Sequence, residues 1–375
     1  MSKTEKMLIT YENVSSGNNI IFKAKLALEL KKMNLHKMNH YRNRLLQELS
    51  LKTGYSFARP TGCIVLLTNR CNSRCLHCHS WKLRPDSEEL STREWERVLH
   101  QMRAWLGRIY ILMTGGETLL KQDGVHLAAY AASKGFIVEF LSNGYLIDSE
   151  TAKELVKSGV TRITLSLDGS TADIHDRIRG RNGFYDRVTN AFRFLVREKE
   201  DQKSDVVLWA KTSIMSYNVH DLTNIAGLAL DLGISGVKYQ ALEPVYYSSQ
   251  LKDKKWYENN PLWIQDPQDA DRSVKELIKM KNQQYPILNS VDNLNMIRTY
   301  FHDPDNLSYR VHTQNYSQKK PGCRSWIGGL QIMPDGGLKM CHHMQPFAHT
   351  RDGHIKNLWN NRARCWKTDC GHYDY

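Results

Sequence analysis

The stretch Cys63-Ile64-Val65-Leu66-Leu67-Thr68-Asn69-Arg70-Cys71-Asn72-Ser73-Arg74-Cys75-Leu76-His77-Cys78 decides how this chain is read. Its first part, Cys63–Thr68, is a short apolar run of the kind that forms a buried strand. Its second part sets three cysteines in the spacing C-x3-C-x2-C, at Cys71, Cys75 and Cys78. Three thiolates are one short of the four that ordinarily hold a [4Fe–4S] cluster, so a cluster bound here would keep one iron open to another ligand. Two other readings share these residues. Cys75-Leu76-His77-Cys78-His79 is also a C-x-x-C-H haem-attachment pattern. That reading leaves Cys71 unexplained, and Met1 to Asn19 shows no apolar export segment. A zinc site is the third reading, with an unusual ligand spacing.

The rest of the chain narrows the class. Its 375 residues are enough for one large domain with appendages. A hydrophobic content of 41% and a charged content of 24% are those of an ordinary globular protein, and no apolar run is long enough to span a bilayer. With no export signal, the cytoplasm is the expected compartment, where thiols stay reduced or bind metal. Of the eight cysteines, four lie in Cys63–Cys78 and four in Cys323–Cys370, a distribution that suits two metal-binding ends better than a disulfide framework. The formal charge of +13 is compatible with acidic partners. The basic residues are dispersed and no nucleic-acid motif appears, so a basic solvated surface is expected, with neither nucleic acid nor membrane as partner.

Outward from the cysteine run, the hydrophobic period organises the chain. Ile20 to Leu51 carries apolar residues at helical spacing among lysines and arginines, which predicts one or two basic amphipathic helices. Beyond Gly62, strand and helix patterns alternate. Strands are expected at Cys63–Thr68, Arg108–Met113, Phe136–Leu141, Thr161–Leu167, Val206–Met215 and Gly236–Leu242, and the capping box Ser91-Thr92-Arg93-Glu94 opens the first helix between them. Six such units predict an α/β fold, a full or partial (β/α)6 TIM-type barrel of parallel strands. Function in such barrels sits at the C-terminal ends of the strands. The cysteine run, Thr114-Gly115-Gly116-Glu117, Ser142-Asn143-Gly144 and Ser166-Leu167-Asp168-Gly169 all fall on that rim. Cys63 lies within the first strand and reads as a core cysteine; a radical-quenching thiol is the alternative. The aromatics Tyr246, Tyr247, Trp256, Tyr257 and Trp263 read as loop packing.

A second group follows. Two strand-like runs, Gly328–Met333 and Leu338–Met340, flank Pro334-Asp335-Gly336-Gly337 and carry Cys341 back towards Cys323, with Cys365 and Cys370 beyond Leu358-Trp359. Four thiolates would close a cluster completely, or bind a structural zinc. His342, His343 and His372 stand nearby as lesser candidates.

Taken together these motifs resemble the radical S-adenosylmethionine (SAM) superfamily over about residues 60–245, and residues 323–370 resemble its SPASM/Twitch extension in the single-cluster form. The resemblance implies four regions: an N-terminal helical extension at 1–58, the radical SAM core at 59–245, a connecting or substrate region at 246–320 and an auxiliary-cluster domain at 321–375. It implies that Cys71, Cys75 and Cys78 hold a [4Fe–4S] cluster whose open iron binds SAM. Gly115, Gly116 and Glu117 would receive the methionyl ammonium, Asn143 and Ser166 would contact SAM, Arg179 would pair with its carboxylate, and His77 would lie near the adenine. Cys323, Cys341, Cys365 and Cys370 would hold one auxiliary [4Fe–4S] cluster. Two departures accompany the match: Thr118 stands where Pro is common, and the last cysteine pair is C-x4-C instead of C-x2-C. The implied activity is reductive cleavage of SAM, served by a reductant such as flavodoxin or ferredoxin. The 5′-deoxyadenosyl radical so formed would take hydrogen from an unactivated C–H bond. A ribosomally made peptide is the leading expected substrate, for cross-linking, oxidation or epimerisation. A sugar, aminoglycoside or nucleotide is the alternative, and a non-enzymatic metal-binding module the third.

Overall fold

The computed structural model describes residues 42–50, 57–83, 88–245, 253, 255–304, 325–341 and 344–362. The chain forms two compact units, Met1–Ala58 and Arg59–Tyr375. In the first, residues 42–50 are helical, and the rest of the expected basic helices lies outside the described residues. Ser50 stops this helix by donating its hydroxyl to the Leu46 carbonyl and accepting the Phe57 N–H.

The second unit is built on nine strands among the described residues: β1 (Gly62–Leu66), β2 (Tyr110–Thr114), β3 (Ile137–Ser142), β4 (Arg162–Ser166), β5 (Val207–Ile214), β6 (Gly236–Ala241), β7 (Gly329–Ile332), β8 (Gly337–Lys339) and β9 (Ala348–His349). Their order is β6-β5-β4-β3-β2-β1-β7-β8-β9. Strands β1 to β6 pair in parallel and in sequence order, the expected partial barrel. The helices between them are α1 (Thr92–Leu106), α2 (Gly124–Ser133), α3 (Ser149–Lys157), α4 (Ala172–Arg179), α5 (Phe184–Asp201) and α6 (Leu222–Asp231); α7 (Pro267–Asn282), α8 (Val291–His302) and α9 (Ile355–Asn360) follow.

Local chemistry accounts for these elements. Ser91 and Glu94 form the reciprocal cap at the start of α1. The helix then buries Trp95, Val98, Leu99, Met102 and Trp105 along one stripe, each contributing roughly 1.5–3 kcal/mol of burial. In the strands, the face beneath the helices is mainly apolar, with Ile111, Met113, Val138, Phe140, Ile163, Leu165, Leu208 and Ala210 buried beside the buried hydroxyls of Ser142 and Thr212. The alternate positions form the concave face. Among them Thr114, Arg162, Ser166, Lys211, Ser213, Lys238 and Gln240 are polar and only partly covered. Near the N-terminal ends of the strands this face is closed by a charge-balanced network. Glu139 accepts from Tyr110, Thr164 and Arg162, and the Arg162 guanidinium stacks 3.3 Å over the Trp209 ring.

Three features depart from the sequence pattern. Helix α4 was not foreseen, because its eight residues include five polar ones. Strand β9 has two residues, too few to show a period. The hairpin β7–β8 also continues the main sheet, since β7 runs parallel to β1 from Gly62↔Gly329 to Val65↔Ile332. The strand ends differ from the expected ones by at most two residues. The aromatics Trp256, Tyr257 and Trp263 pack with Tyr300 and Phe301, as loop packing requires; Tyr246 and Tyr247 lie outside the described residues.

Candidate functional site

The cysteine loop leaves the C-terminal end of β1 and is fastened to the end of α4. Arg74 N–H donates to the Arg179 carbonyl and Leu76 N–H to the Ile178 carbonyl, each at 3.0 Å. Helix α4 ends at Gly180, whose φ of 68° is the left-handed conformation of a helix C-cap. A Cβ on Gly180 would overlap the Arg74 carbonyl, so this glycine serves both the cap and the close approach of the loop.

The three sulfurs share this loop and carry polar partners. Cys75 is buried, 2.8 Å from the Ser73 hydroxyl, and Arg179 Nη1 donates to its sulfur at 3.5 Å. The Cys78 sulfur accepts the Ser80 N–H at 3.4 Å. Burial pushes the Cys71 thiol up to about 12 and raises that of Cys78, against the pull of N–H donors from Ser73 and Ser80. Thiols with buried N–H and guanidinium donors aimed at them suit thiolates that carry metal charge. Among the described residues no three His, Cys, Asp or Glu are gathered closely enough to hold one metal ion. A multi-iron cluster takes each thiolate on a different iron and does not require that convergence. The residues fit the cluster.

Around the loop stand the other rim residues. Glu117, 1% exposed, accepts from the Ser142 hydroxyl at 2.7 Å, the Asn143 N–H at 2.7 Å and the Leu119 N–H at 3.1 Å. Its burial raises the carboxyl pKa, opposed by these donors. A carboxylate offers about four acceptor sites, so one remains for an ammonium. Glycines 115 and 116 let the β2 loop lie on the β1 loop, with Gly116 N–H donating to the Thr68 carbonyl at 2.7 Å. A Cβ on Gly116 would overlap the carbonyls of Asn69 and Arg70. Asn143 Nδ2 donates to Asn72 Oδ1 at 2.7 Å, joining the β3 rim to the cysteine loop. Ser166 ends β4 on the concave face. His77 is depressed to about 4, first by burial and then by the charges of Arg179 and Lys211 against Asp168, and its Nδ1 is buried without a partner.

The partners of Arg179 in the folded chain are Asp168 and Cys75. Its guanidinium is ion-paired with the fully buried Asp168 at 2.5 Å while it touches the Cys75 sulfur. The pair holds Asp168 below the usual carboxylate range despite burial. His175, whose Nδ1 accepts the Asp168 N–H, is pushed down to about 3 by burial and the Arg179 charge. Asp168 stood in a recognised rim motif, but His175 and Ser73 gave no sequence signal. Cys63 is 3% exposed on the helix-covered face of β1, a core thiol raised by burial. Of the second cysteine group, Cys341 lies just past β8 and is half-buried. Cys323, Cys365 and Cys370, with His342, His343 and His372, lie outside the described residues.

The segment beyond Cys341 is nevertheless anchored. Arg351 Nε pairs with Glu94 at 2.7 Å, the Ile355 N–H donates to Gln101, and Trp359 packs beside Trp105 at 6.2 Å. Among the described residues no helix is long and apolar enough to cross a membrane.

Comparison with known proteins agrees with this geometry. Residues 65–207 match the radical SAM superfamily. The AdoMet-dependent heme synthase of Methanosarcina barkeri is 23% identical over 79% of this chain and 80% of its own length. The mycofactocin maturase MftC of Mycobacterium ulcerans is 32% identical, over 44% of this chain and 42% of its own. Streptococcus suis SuiB, solved with its precursor peptide SuiA, shares the fold with a TM-score of 0.62 at 15% identity, over 85% of this chain and 69% of that one.

Proposed function

The chain belongs to the radical SAM superfamily, and from that premise we propose that it is a maturase that modifies a ribosomally made peptide at an unactivated C–H bond. The observation that carries the radical chemistry is the single rim on which the loop of Cys71, Cys75 and Cys78 meets Glu117, Asn143 and Arg179. When bound, the [4Fe–4S] cluster and SAM supply the one-electron cleavage that yields the 5′-deoxyadenosyl radical. The protein's own residues do the positioning. Arg179 and Ser73 hold Cys75, the Glu117 acceptor site receives the methionyl ammonium, and Asn143 ties its loop to Asn72. His77 and Ser166 complete the SAM contacts. The Glu139–Arg162 network closes the concave face at the opposite end, which limits water entry.

The peptide reading is supported by the maturase relative and by the fold shared with SuiB. The match to the maturase spans less than half of that protein, so its substrate comes here only as part of this proposal. A second reading, a small-molecule substrate, is favoured by the heme synthase, which aligns over most of both chains. We further assign 59–245 as the radical SAM core and 246–320 as the substrate-side connection. Residues 321–375 would carry an auxiliary cluster on Cys323, Cys341, Cys365 and Cys370, and 1–58 a helical extension. A cytoplasmic setting with flavodoxin or ferredoxin as reductant completes the proposal.

The test is anaerobic reconstitution with iron and sulfide, reduction, and assay for 5′-deoxyadenosine. Product is expected from wild type and its absence from a Cys75→Ala variant; no product from fully loaded wild type sinks the reading. Deuterium transfer into 5′-deoxyadenosine from a labelled precursor peptide, against labelled small molecules, then decides the substrate class.

A further inference from the structure

On the concave face, Ser166, Lys211 and Lys238 form one row across three adjacent strands. Ser166 is in register with Lys211, and Lys211 with Lys238. Directly paired residues of parallel strands project from the same face, so the two lysines leave adjacent strands whose backbones lie about 5 Å apart, starting one strand from Ser166. Like charges in that position repel and destabilise a sheet.

The surroundings do not neutralise them. Among the described residues neither lysine makes a hydrogen bond or an ion pair, whereas Arg162 on the same face is matched by Glu139 at 2.7 Å. The further charge acting on Lys238 is another lysine, Lys281 of α7, whose ammonium donates to the Ile287 carbonyl. Lys238 is partly buried, and its pKa is lowered by that burial and by Lys211 and Lys281. Lys211 is paired with Ser166, the last residue of β4, which places it in the row next to the rim that carries the cysteine loop. A half-covered pair of cations, with no acid paired to it among the described residues, is complementary to an anion brought by a ligand.

We propose that Lys211 and Lys238 form a subsite that binds a carboxylate of the substrate, seating it in the row that begins at Ser166. The proposal rests on the reading that the concave face receives the substrate. Carboxylate is favoured over phosphate by the backbone. Both strands spend their N–H groups in the ladder or, at β6, on the Pro286 carbonyl and Asn289 side chain. No cradle of N–H donors remains there for the extra phosphate oxygens. In a peptide the carboxylate would be an acidic side chain or the C-terminus; in a small molecule, an acid group.

Calorimetric titration of the reconstituted, SAM-loaded chain tests this with glutarate, neutral glutaramide and inorganic phosphate as probes. Glutarate is expected to bind, glutaramide not to bind, and phosphate to bind at least tenfold more weakly. Lys211→Met and Lys238→Met are each expected to weaken glutarate about tenfold, the scale of one lost charge contact, while Lys211→Arg retains binding. Thermal melts confirm that each variant is folded. Absence of glutarate binding to wild type, equal binding by folded methionine variants, or tighter binding of phosphate would each overturn the subsite. The 5′-deoxyadenosine assay on the same preparation reports the enzyme reading separately, so either can fail alone.

Discussion

Arg179 joins the buried acid Asp168 to the sulfur of Cys75: Nη2 pairs with the carboxylate at 2.5 Å and Nη1 reaches the sulfur at 3.5 Å. If Cys75 holds the cluster, as proposed, a guanidinium fixed beside its sulfur would offset the negative charge that the cluster gains on reduction. Hydrogen bonds and net charge at the sulfurs are among the terms that set cluster potential. The Asp168 partner keeps the guanidinium aimed, since a buried charge without its mate costs about 3–5 kcal/mol.

Replacing this contact should therefore move the potential of the cluster and not only the activity. Arg179→Met combined with Asp168→Asn, which removes both charges together, is expected to lower the midpoint by about 60 mV or more, a tenfold change for one electron. Arg179→Lys keeps the charge but loses the fork, and should shift it less. EPR-monitored potentiometry measures both. An unchanged midpoint in the folded, iron-loaded double variant would show that the 3.5 Å contact has no electronic role.

Glu117 combines two tasks that a substitution can separate. Three of its acceptor sites hold Ser142, Asn143 and Leu119, which leaves one for a further donor. Glu117→Gln turns one acceptor into a donor against N–H groups, so a loss of about 1–3 kcal/mol in stability is expected. SAM affinity should fall at least tenfold, since the ammonium loses a charged partner. Equilibrium dialysis with labelled SAM, beside a denaturation curve, distinguishes the two; unaltered SAM binding in a destabilised protein would leave Glu117 a purely structural clamp.

Most of the core was legible because parallel strands are buried under helices on one face and flanked by turn residues, so Phe136–Leu141 or Val206–Met215 announce themselves by apolar period alone. Helix α4 did not, since Asp173, His175, Asp176, Arg177 and Arg179 hide its stripe. Its content is tertiary: Ile178 and Arg179 present carbonyls to the cysteine loop. The pairing of β7 with β1 was equally hidden, because register between strands so distant in sequence leaves no local mark. At the site, the cysteines stood out by their spacing, and the role expected of Glu117 came with the family resemblance. Arg179's partners and the Lys211–Lys238 row depend on register, which only the folded chain supplies.

The seat of the cysteine loop on α4 gives a further prediction. Gly180 has φ of 68° and no room for a methyl group beside the Arg74 carbonyl. Gly180→Ala adds left-handed strain of about 1 kcal/mol and must also displace the loop. The expected outcome is a lower iron content after reconstitution, with the first cluster affected and the helical circular dichroism retained. Gly183→Ala is the control, because φ there is also positive at 81° but nothing lies within 4 Å of the added carbon. Equal iron loading in both variants would mean that the loop does not depend on this contact.

Iron stoichiometry separates the two cysteine groups. About eight irons per chain are expected from two four-iron clusters, about four from a Cys71→Ala, Cys75→Ala, Cys78→Ala triple variant, and about four from Cys341→Ala. Four irons with one zinc in wild type would instead make the second site structural. Chelation that empties only the second site should leave SAM cleavage in place while product formation falls.

The cap of α1 provides a pH-dependent prediction far from the clusters. Glu94 is held at about 2, first by the Arg351 side chain and then by the Ser91 N–H, against an ordinary value of 4.5. A carboxyl whose pKa is depressed by folding stabilises the folded state above its unfolded value, and that stability is lost as pH falls from about 4.5 through 2. The carboxylate is partly solvated, so its worth is about 1 kcal/mol, less than the shift alone would imply. Glu94→Gln should therefore destabilise the protein by about 1–2 kcal/mol at pH 7, the cap included. The gap from wild type should narrow steadily below about pH 4.5. Urea denaturation at pH 7 and near pH 3.5 measures it. A gap that stays constant across that range would show that Glu94 acts through its neutral hydrogen bonds and that its charge pairing with Arg351 contributes nothing.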